Sequence, residues 1–122
     1  MKAVRLLAGA LGIALLLVLP YGAAAANRYV TYVACSYKSS ASPATSCSKS
    51  SNKGAFFKSR DASVTYEVCV KYPSGQKLCA SGQSAPRGTT QLNKITTTQK
   101  GTHKVTWLVG STRVGSWAFK VT

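Results

Sequence analysis

Acid–base chemistry in this chain would have to run through His103, its single histidine, and through Asp61 and Glu67, its only carboxylates. A nucleophilic triad needs a nucleophile, a base and an orienting group in mutual contact. His103 and Asp61 would be base and orienter, with any of many serines as nucleophile, and no stretch resembles the sharp strand-to-helix turn that presents such a serine. Paired-carboxylate hydrolysis needs two acids a few ångströms apart across a cleft. Asp61 and Glu67 stand six residues apart at one end of a strand-like segment, too far along it, and Glu67 lies on the face opposite Val68. The chain therefore reads as noncatalytic, with His103 a rim residue beside Val121. Cys35, Cys47, Cys69 and Cys79 are separated by 11, 21 and 9 residues. That series lacks the C-x-x-C pair of a structural zinc site, so neither metal nor cofactor is expected.

The remaining chemistry is charge. The formal net charge is +14, with 16 Lys and Arg against 2 acids. Lys2 and Arg5 belong to an N-terminal leader: a positive start, an apolar run from Leu6 to Leu19, Pro20, then small residues at Ala23–Ala26. Cleavage is placed after Ala26, or up to three residues earlier. The apolar run is short for a membrane span of ~20 residues, so no transmembrane segment is expected after cleavage. Residues 27–122 then form a single domain of 96 residues with a net charge of +12. Export and four cysteines together imply an oxidising, extracellular setting and two disulfides.

The elements that position these groups read as strands. Asn27–Tyr37 is rich in Tyr, Val and Thr, as strands are. Residues 38–54 form a Ser-rich surface loop carrying Cys47, tied most simply to Cys35. Closing a loop of that size stabilises by ~3 kcal/mol in the chain-entropy picture. At least one of Phe56 and Phe57 enters the core, and Lys58–Asp61 turns. Ala62–Tyr72 is a second clear strand, with Val64, Tyr66, Val68 and Val70 on one face.

Pro73-Ser74-Gly75 then makes a three-residue hairpin loop, with Gly75 at the left-handed position. Closing that loop with Tyr72 opposite Gln76 sets Lys71 opposite Lys77 and Cys69 opposite Cys79. Cys69 and Cys79 then form a non-hydrogen-bonded pair, whose Cα atoms are close enough for a bridge. Cys69–Cys79 is thus expected, and Cys35–Cys47 by elimination. The connectivities Cys35–Cys69 with Cys47–Cys79, and Cys35–Cys79 with Cys47–Cys69, stay open. Residues 80–88 read as a loop and Thr89–Thr98 as an edge strand.

Gly101–Thr122 closes the chain as a hairpin. Burying both tryptophans on one face requires an odd-length loop, and pairing Trp107 with Trp117 sets Val105 opposite Phe119 and His103 opposite Val121. The architecture expected is all-β: a small antiparallel sandwich with two disulfides. EVCVKYPSGQKLCASG and GTHKVTWLVGSTRVGSWAFKVT resemble immunoglobulin-like modules of secreted bacterial proteins, actinobacterial ones above all. The resemblance covers about the C-terminal half and implies an immunoglobulin-like sandwich. It implies no activity, because its motifs determine fold.

Three functions suit a secreted, basic, noncatalytic domain. The first is a binding module for an anionic cell-envelope or extracellular polymer. Its contacts would be Lys71 and Lys77, held by their hairpin, and then the basic stretch with Lys49, Lys53, Lys58 and Arg60. The second is an antimicrobial or toxin-like protein acting on membranes, for which the chain offers no amphipathic helix. The third is a serine-protease inhibitor presenting Lys77, or Ala85-Pro86-Arg87, on a rigid loop. Specific nucleic-acid binding is not expected, since export removes the chain from the cytoplasm. Tyr29, Tyr32, Tyr37, Tyr66 and Tyr72 read mostly as core or cross-strand residues rather than stacking platforms. Composition leaves the oligomeric state open.

Overall fold

The structure, a computed structural model, describes residues 28–122. The expected leader, residues 1–26, lies outside the described residues. Eight strands follow in order: β1 (Tyr29–Ala34), β2 (Ser46–Cys47), β3 (Gly54–Ser59), β4 (Val64–Lys71), β5 (Lys77–Ala85), β6 (Thr90–Lys94), β7 (Gly101–Val109) and β8 (Thr112–Val121). They form a three-stranded sheet, β1-β3-β6, and a five-stranded sheet, β2-β8-β7-β4-β5. Every pairing is antiparallel except β2 with β8, which is parallel.

Alternation explains the packing. Val33, Phe57, Tyr66, Val68, Val105, Trp107, Phe119 and Val121 all point between the sheets and form one buried cluster. Trp107 is fully buried at its centre. Phe56, the neighbour of Phe57, is also fully buried, although it faces the other side of β3. There it stacks against Tyr32, which pairs with it across β1 and β3. The segment expected to turn at Lys58 and Ser59 remains strand through Ser59.

The closing hairpin keeps the expected parity but not the expected register. Val105 faces Trp117, His103 faces Phe119 and Gly101 faces Val121. The loop is two residues, Gly110 and Ser111, with Gly110 at φ +62°, as a turn that needs a left-handed first residue requires. An even loop alone would put the two tryptophans on opposite faces. A bulge restores the parity: Leu108 pairs with Arg113 but Trp107 with Gly115, leaving Val114 as the extra residue. The consequence for His103 is a correction. It is a fully buried core residue beside Phe119, not a rim residue beside Val121.

The other hairpin has the expected register. Lys71 faces Lys77, Cys69 faces Cys79, Tyr72 N–H donates to Gln76 O at 2.8 Å, and Gly75 has φ +94°. Both expected disulfides are present. Cys69–Cys79 joins neighbouring strands with Cα atoms 4.0 Å apart. Cys35–Cys47 joins the chain just past β1 to β2, and so links the two sheets. The expected loop after Cys79 is instead strand: β5 runs on to Ala85 past a bulge that sets Ser81 and Gly82 against Glu67.

The Ser-rich loop is less free than its composition implies. Its residues 46–47 add β2 to the edge of β8, and Trp117 Nε1–H donates to Ala44 O at 2.8 Å. At the opposite open edge a polar bolt joins the sheets: Tyr66 OH donates to Asn93 Oδ1, and Asn93 Nδ2 donates to Gln83 Oε1 at 3.0 Å. Burial pushes the Tyr66 hydroxyl up to about 12.

Two predictions follow from this packing. A methyl group at Gly115 would fall on the side chain of Thr31, where β1 crosses the bulge of β8. Gly115→Ala should cost about 1–3 kcal/mol in urea denaturation, as overpacking does, and adding Thr31→Ala should recover part of the loss. The phenol of Tyr66 has a raised pKa in the fold, whereas an unfolded one ionises near 10. Its contribution is therefore intact below pH 10 and lost as pH climbs towards 12. Tyr66→Phe should be less stable than the parent at pH 8, with the gap narrowing above pH 10.

Candidate functional site

The outer face of the five-stranded sheet gathers the charge. Lys71 on β4 is flanked in register by Lys77 on β5 and by Lys104 on β7. All three are exposed and alternate with inward residues: Val70 beside Lys71, and His103 and Val105 on either side of Lys104. Strands lie ~4.8 Å apart, so the three lysine stems rise from a line about 10 Å long, perpendicular to the strands. Two residues further along, Lys120 on β8 pairs with Thr102 on β7 and with Ser46 on β2. Arg113, paired with Leu108, stands at the other end of the face.

Between these cations the face is small and polar. Cys69, Thr106 and Ser116 form the row next to the lysines, and Ala118 closes the lysine row itself. Nothing bulky stands between the charges. The Cys69–Cys79 bridge lies one row from Lys71 and Lys77 and locks the register that holds them side by side. No acid neutralises the row. Glu67, the one carboxylate on the face, accepts a hydrogen bond from Ser81 Oγ at 2.8 Å two rows away. The only ion pair among the described residues joins Arg28 to Asp61 at 3.8 Å, both exposed.

The other expected contact residues are scattered. Lys53 is a correction: it is 3% exposed and turned into its own loop, where Nζ donates to Lys49 O at 3.1 Å and Ser51 O at 2.6 Å. Desolvation lowers its pKa below the ordinary lysine value. Two carbonyls that this loop would otherwise leave unpaired capture the ammonium group, so it is a fold element rather than a ligand contact. Lys58 is half-buried on the outer face of the three-stranded sheet, paired with Val30 and Thr90. Arg60 is exposed beyond the end of β3, and Lys49 lies beside the C-terminus, its N–H bonded to Thr122 O. Lys49, Lys53, Lys58 and Arg60 therefore do not make one patch.

Sequence reading missed Lys104 and Lys120. Their outward positions were legible from the alternation of the last hairpin, but their neighbours were not, because nothing local pairs β7 with β4. The groups considered for catalysis are dispersed and engaged. His103 Nδ1 approaches Gly101 O at 3.0 Å, and Nε2 lies 2.8 Å from Thr97 Oγ1. A carbonyl only accepts, so Nδ1 carries the hydrogen, and the threonine hydroxyl engages Nε2. The histidine is a satisfied core residue between Tyr72 and Phe119. Glu67 lies near Cys69 and Cys79, but both sulfurs are consumed in their disulfide and offer no thiolate to a metal.

No protein-family model and no curated protein matches the sequence. Among solved structures, the fold is similar to an immunoglobulin-like protein from Pseudomonas aeruginosa. The identity is 16%, the TM-score 0.51, and the match covers 77% of this chain and 91% of the other. A second match, at TM-score 0.42 and 18% identity, is to the Pseudomonas fluorescens alkylpurine DNA glycosylase AlkC bound to DNA, covering 77% of this chain and 30% of that one. The first likeness establishes an immunoglobulin-like fold, and the second carries no argument. The two disulfides agree with an extracellular setting.

Lys53, bonded into its own loop, and Lys104, free on the sheet face, are two different kinds of lysine. Lys53→Gln should lower stability by about 1–3 kcal/mol, the usual cost of losing hydrogen bonds from a charged group, and leave retention on an anionic resin unchanged. Comparing urea midpoints with elution salt for that variant and for Lys104→Gln tests the division, since Lys104→Gln should shift elution alone.

Proposed function

We propose that this protein is a secreted, noncatalytic immunoglobulin-like module that associates with anionic polymers of the cell envelope or extracellular space. The observation that carries the reading is the row Lys77–Lys71–Lys104, three uncompensated cations side by side next to a row of small side chains, Cys69, Thr106 and Ser116. Like charges directly opposite on a sheet are destabilising, and no carboxylate relieves this set. A polyanion lying across the strands would meet all three at once. Lys120 is displaced by one strand and two residues, which extends the track towards β2. Electrostatic contact of this kind tolerates variation in sugar or backbone, which suits a surface polymer better than a unique small ligand.

Inhibition of a serine protease gains no support. Lys77 lies in strand rather than on a loop tip, Ala85 is buried, and Arg87 N–H is tied to Ser63 Oγ at 3.0 Å.

The test uses two soluble polyanions, poly(glycerol phosphate) and a polyuronate, with binding followed across a salt series. Binding should weaken steeply with salt, because exposed charges are screened beyond ~8–10 Å near physiological ionic strength. The triple variant Lys71→Gln/Lys77→Gln/Lys104→Gln should bind more weakly and show a shallower dependence of log K on log salt. On a polymer charged as densely as DNA the slope should fall by about one per lysine lost. Thermal stability should stay equal or rise, since the change also removes repulsion. Binding indifferent to salt would refute the electrostatic mechanism, and unaltered binding by the triple variant would refute this face.

A further inference from the structure

Glu67 is the one acid on the outer face of the five-stranded sheet, and among the described residues no cation pairs with it. Its isolation has a geometric cause. The carboxylate lies within 4.8 Å of the sulfurs of Cys69 and Cys79, and that bridge fills the row between it and the lysines. Lys71 is four residues further along β4, ~13 Å away at the backbone. On the other side Glu67 pairs with Leu108 and Leu108 with Arg113, which places the arginine two strands away, ~10 Å at the backbone. The half-buried Leu108 stands between them. Cations thus flank the carboxylate at both ends of the face, and none reaches it.

A hollow of about 290 Å³ opens beside the carboxylate, lined by Thr65, Glu67, Ser81 and Leu108 together with Gly82 and Gly110. The two glycines have φ +64° and +62°, which favours glycine there, and neither puts a side chain into the space. Ser81 Oγ donates its one hydrogen to Glu67 Oε2 at 2.8 Å. Glu67 Oε1 and the lone pairs of Ser81 Oγ are left as acceptors, which suits a positively charged donor with several hydrogens, a primary ammonium. The donor set suits a divalent cation less well. Calcium takes about six to eight oxygens, usually from several carboxylates, whereas Glu67 is alone and both sulfurs are tied in their bridge.

A free amine is repelled by so basic a chain. An ammonium carried on a polyanion is delivered by its polymer, at the effective concentration its tether sets. We propose that the polymer recognised by the lysine row carries primary amines as side groups, as an aminoacyl-esterified polyol phosphate does, and that Glu67 binds one ammonium while Lys71 and Arg113 hold anionic groups on either side of it. A polymer leaving the lysine row along the strands crosses only the small side chains of Cys69 and Thr106 before it reaches Glu67. The inference rests on the polymer-binding reading and narrows it to a class of polymer.

The experiment measures binding of three soluble polymers at about pH 6, where an α-ammonium is charged. They are poly(glycerol phosphate), the same polymer partly esterified with alanine, and the same polymer esterified to the same extent with N-acetylalanine. Partial esterification leaves every one of them a net polyanion. Removing an acid from the protein therefore strengthens all three if charge attraction alone operates. Glu67→Gln keeps the size of the side chain and an acceptor for Ser81. It should weaken the aminoacylated polymer about two- to fivefold, the worth of a partly exposed ion pair, and leave the other two as tight as before or tighter. Asp61→Asn makes the same change of net charge away from this face, beside Arg28, and should weaken none of them. Lys71→Gln/Lys77→Gln/Lys104→Gln should weaken all three. Glu67→Gln that binds the aminoacylated polymer as tightly as the parent does, or that weakens all three polymers alike, would overturn the amine site and leave the lysine row standing. Failure of the parent to bind any of the three would overturn both.

Discussion

Alternation along β7 is the constraint on which the rest depends. His103, Val105 and Trp107 point inward and are fully buried, while Thr102, Lys104 and Thr106 point to solvent. The strand sits between β4 and β8, so this one pattern sets the core and the charged face together. A slip of one residue would bury Lys104 and expose Trp107, and neither change is tolerable in water. The hydrophobic demand of Trp107 is thus what fixes Lys104 beside Lys71. The charge row needs no structural device of its own beyond the pairing that the core already enforces.

How far the sequence could be read follows from how local each feature is. The β4–β5 hairpin was legible down to its bridge, because loop length, Gly75 and the positions of Cys69 and Cys79 all lie within a short stretch. The closing hairpin was legible in parity but not in register. Burying two tryptophans demands an odd count between them, and a bulge in a two-residue hairpin meets that demand as well as a longer loop does. Val114 carries no signal that distinguishes the two solutions. From that slip came the misplacement of His103. Lys53 was misread for a related reason: in a Ser-rich loop a lysine looks solvated, and only the folded loop shows two carbonyls aimed at its ammonium.

The edges show how a small sandwich of this kind closes. At one edge of the five-stranded sheet, β8 is covered by two residues of β2, held by Cys35–Cys47 and by backbone bonds from Lys49 and Lys120. A Ser-rich segment with no large aliphatic side chain gains little from burial beyond Cys47 and Ala44, and is attached mainly by covalent and polar means. On the β1 side, Gly115 lets Thr31 approach the bulge of β8 closely. On the β5–β6 side, side-chain hydrogen bonds from Tyr66 to Asn93 and from Tyr72 to Thr96 O tie the sheets on either side of an apolar cleft.

Repulsion within the lysine row and the rigidity of the strands beneath it belong to one argument. Three ammonium groups on flexible stems would ordinarily splay into water and cost little. Their stems are rooted on three adjacent strands, and Cys69–Cys79 prevents two of these, β4 and β5, from sliding apart. The charges can separate at their tips but not at their bases, so the local positive potential persists in the unbound protein. Any polyanion that binds the folded face stabilises it by mass action as well as by relieving that repulsion. A rigid scaffold also means that little ordering entropy is lost on contact. The fold therefore holds the repulsion in place, because the one carboxylate on that face is bonded to Ser81 and stands two rows away.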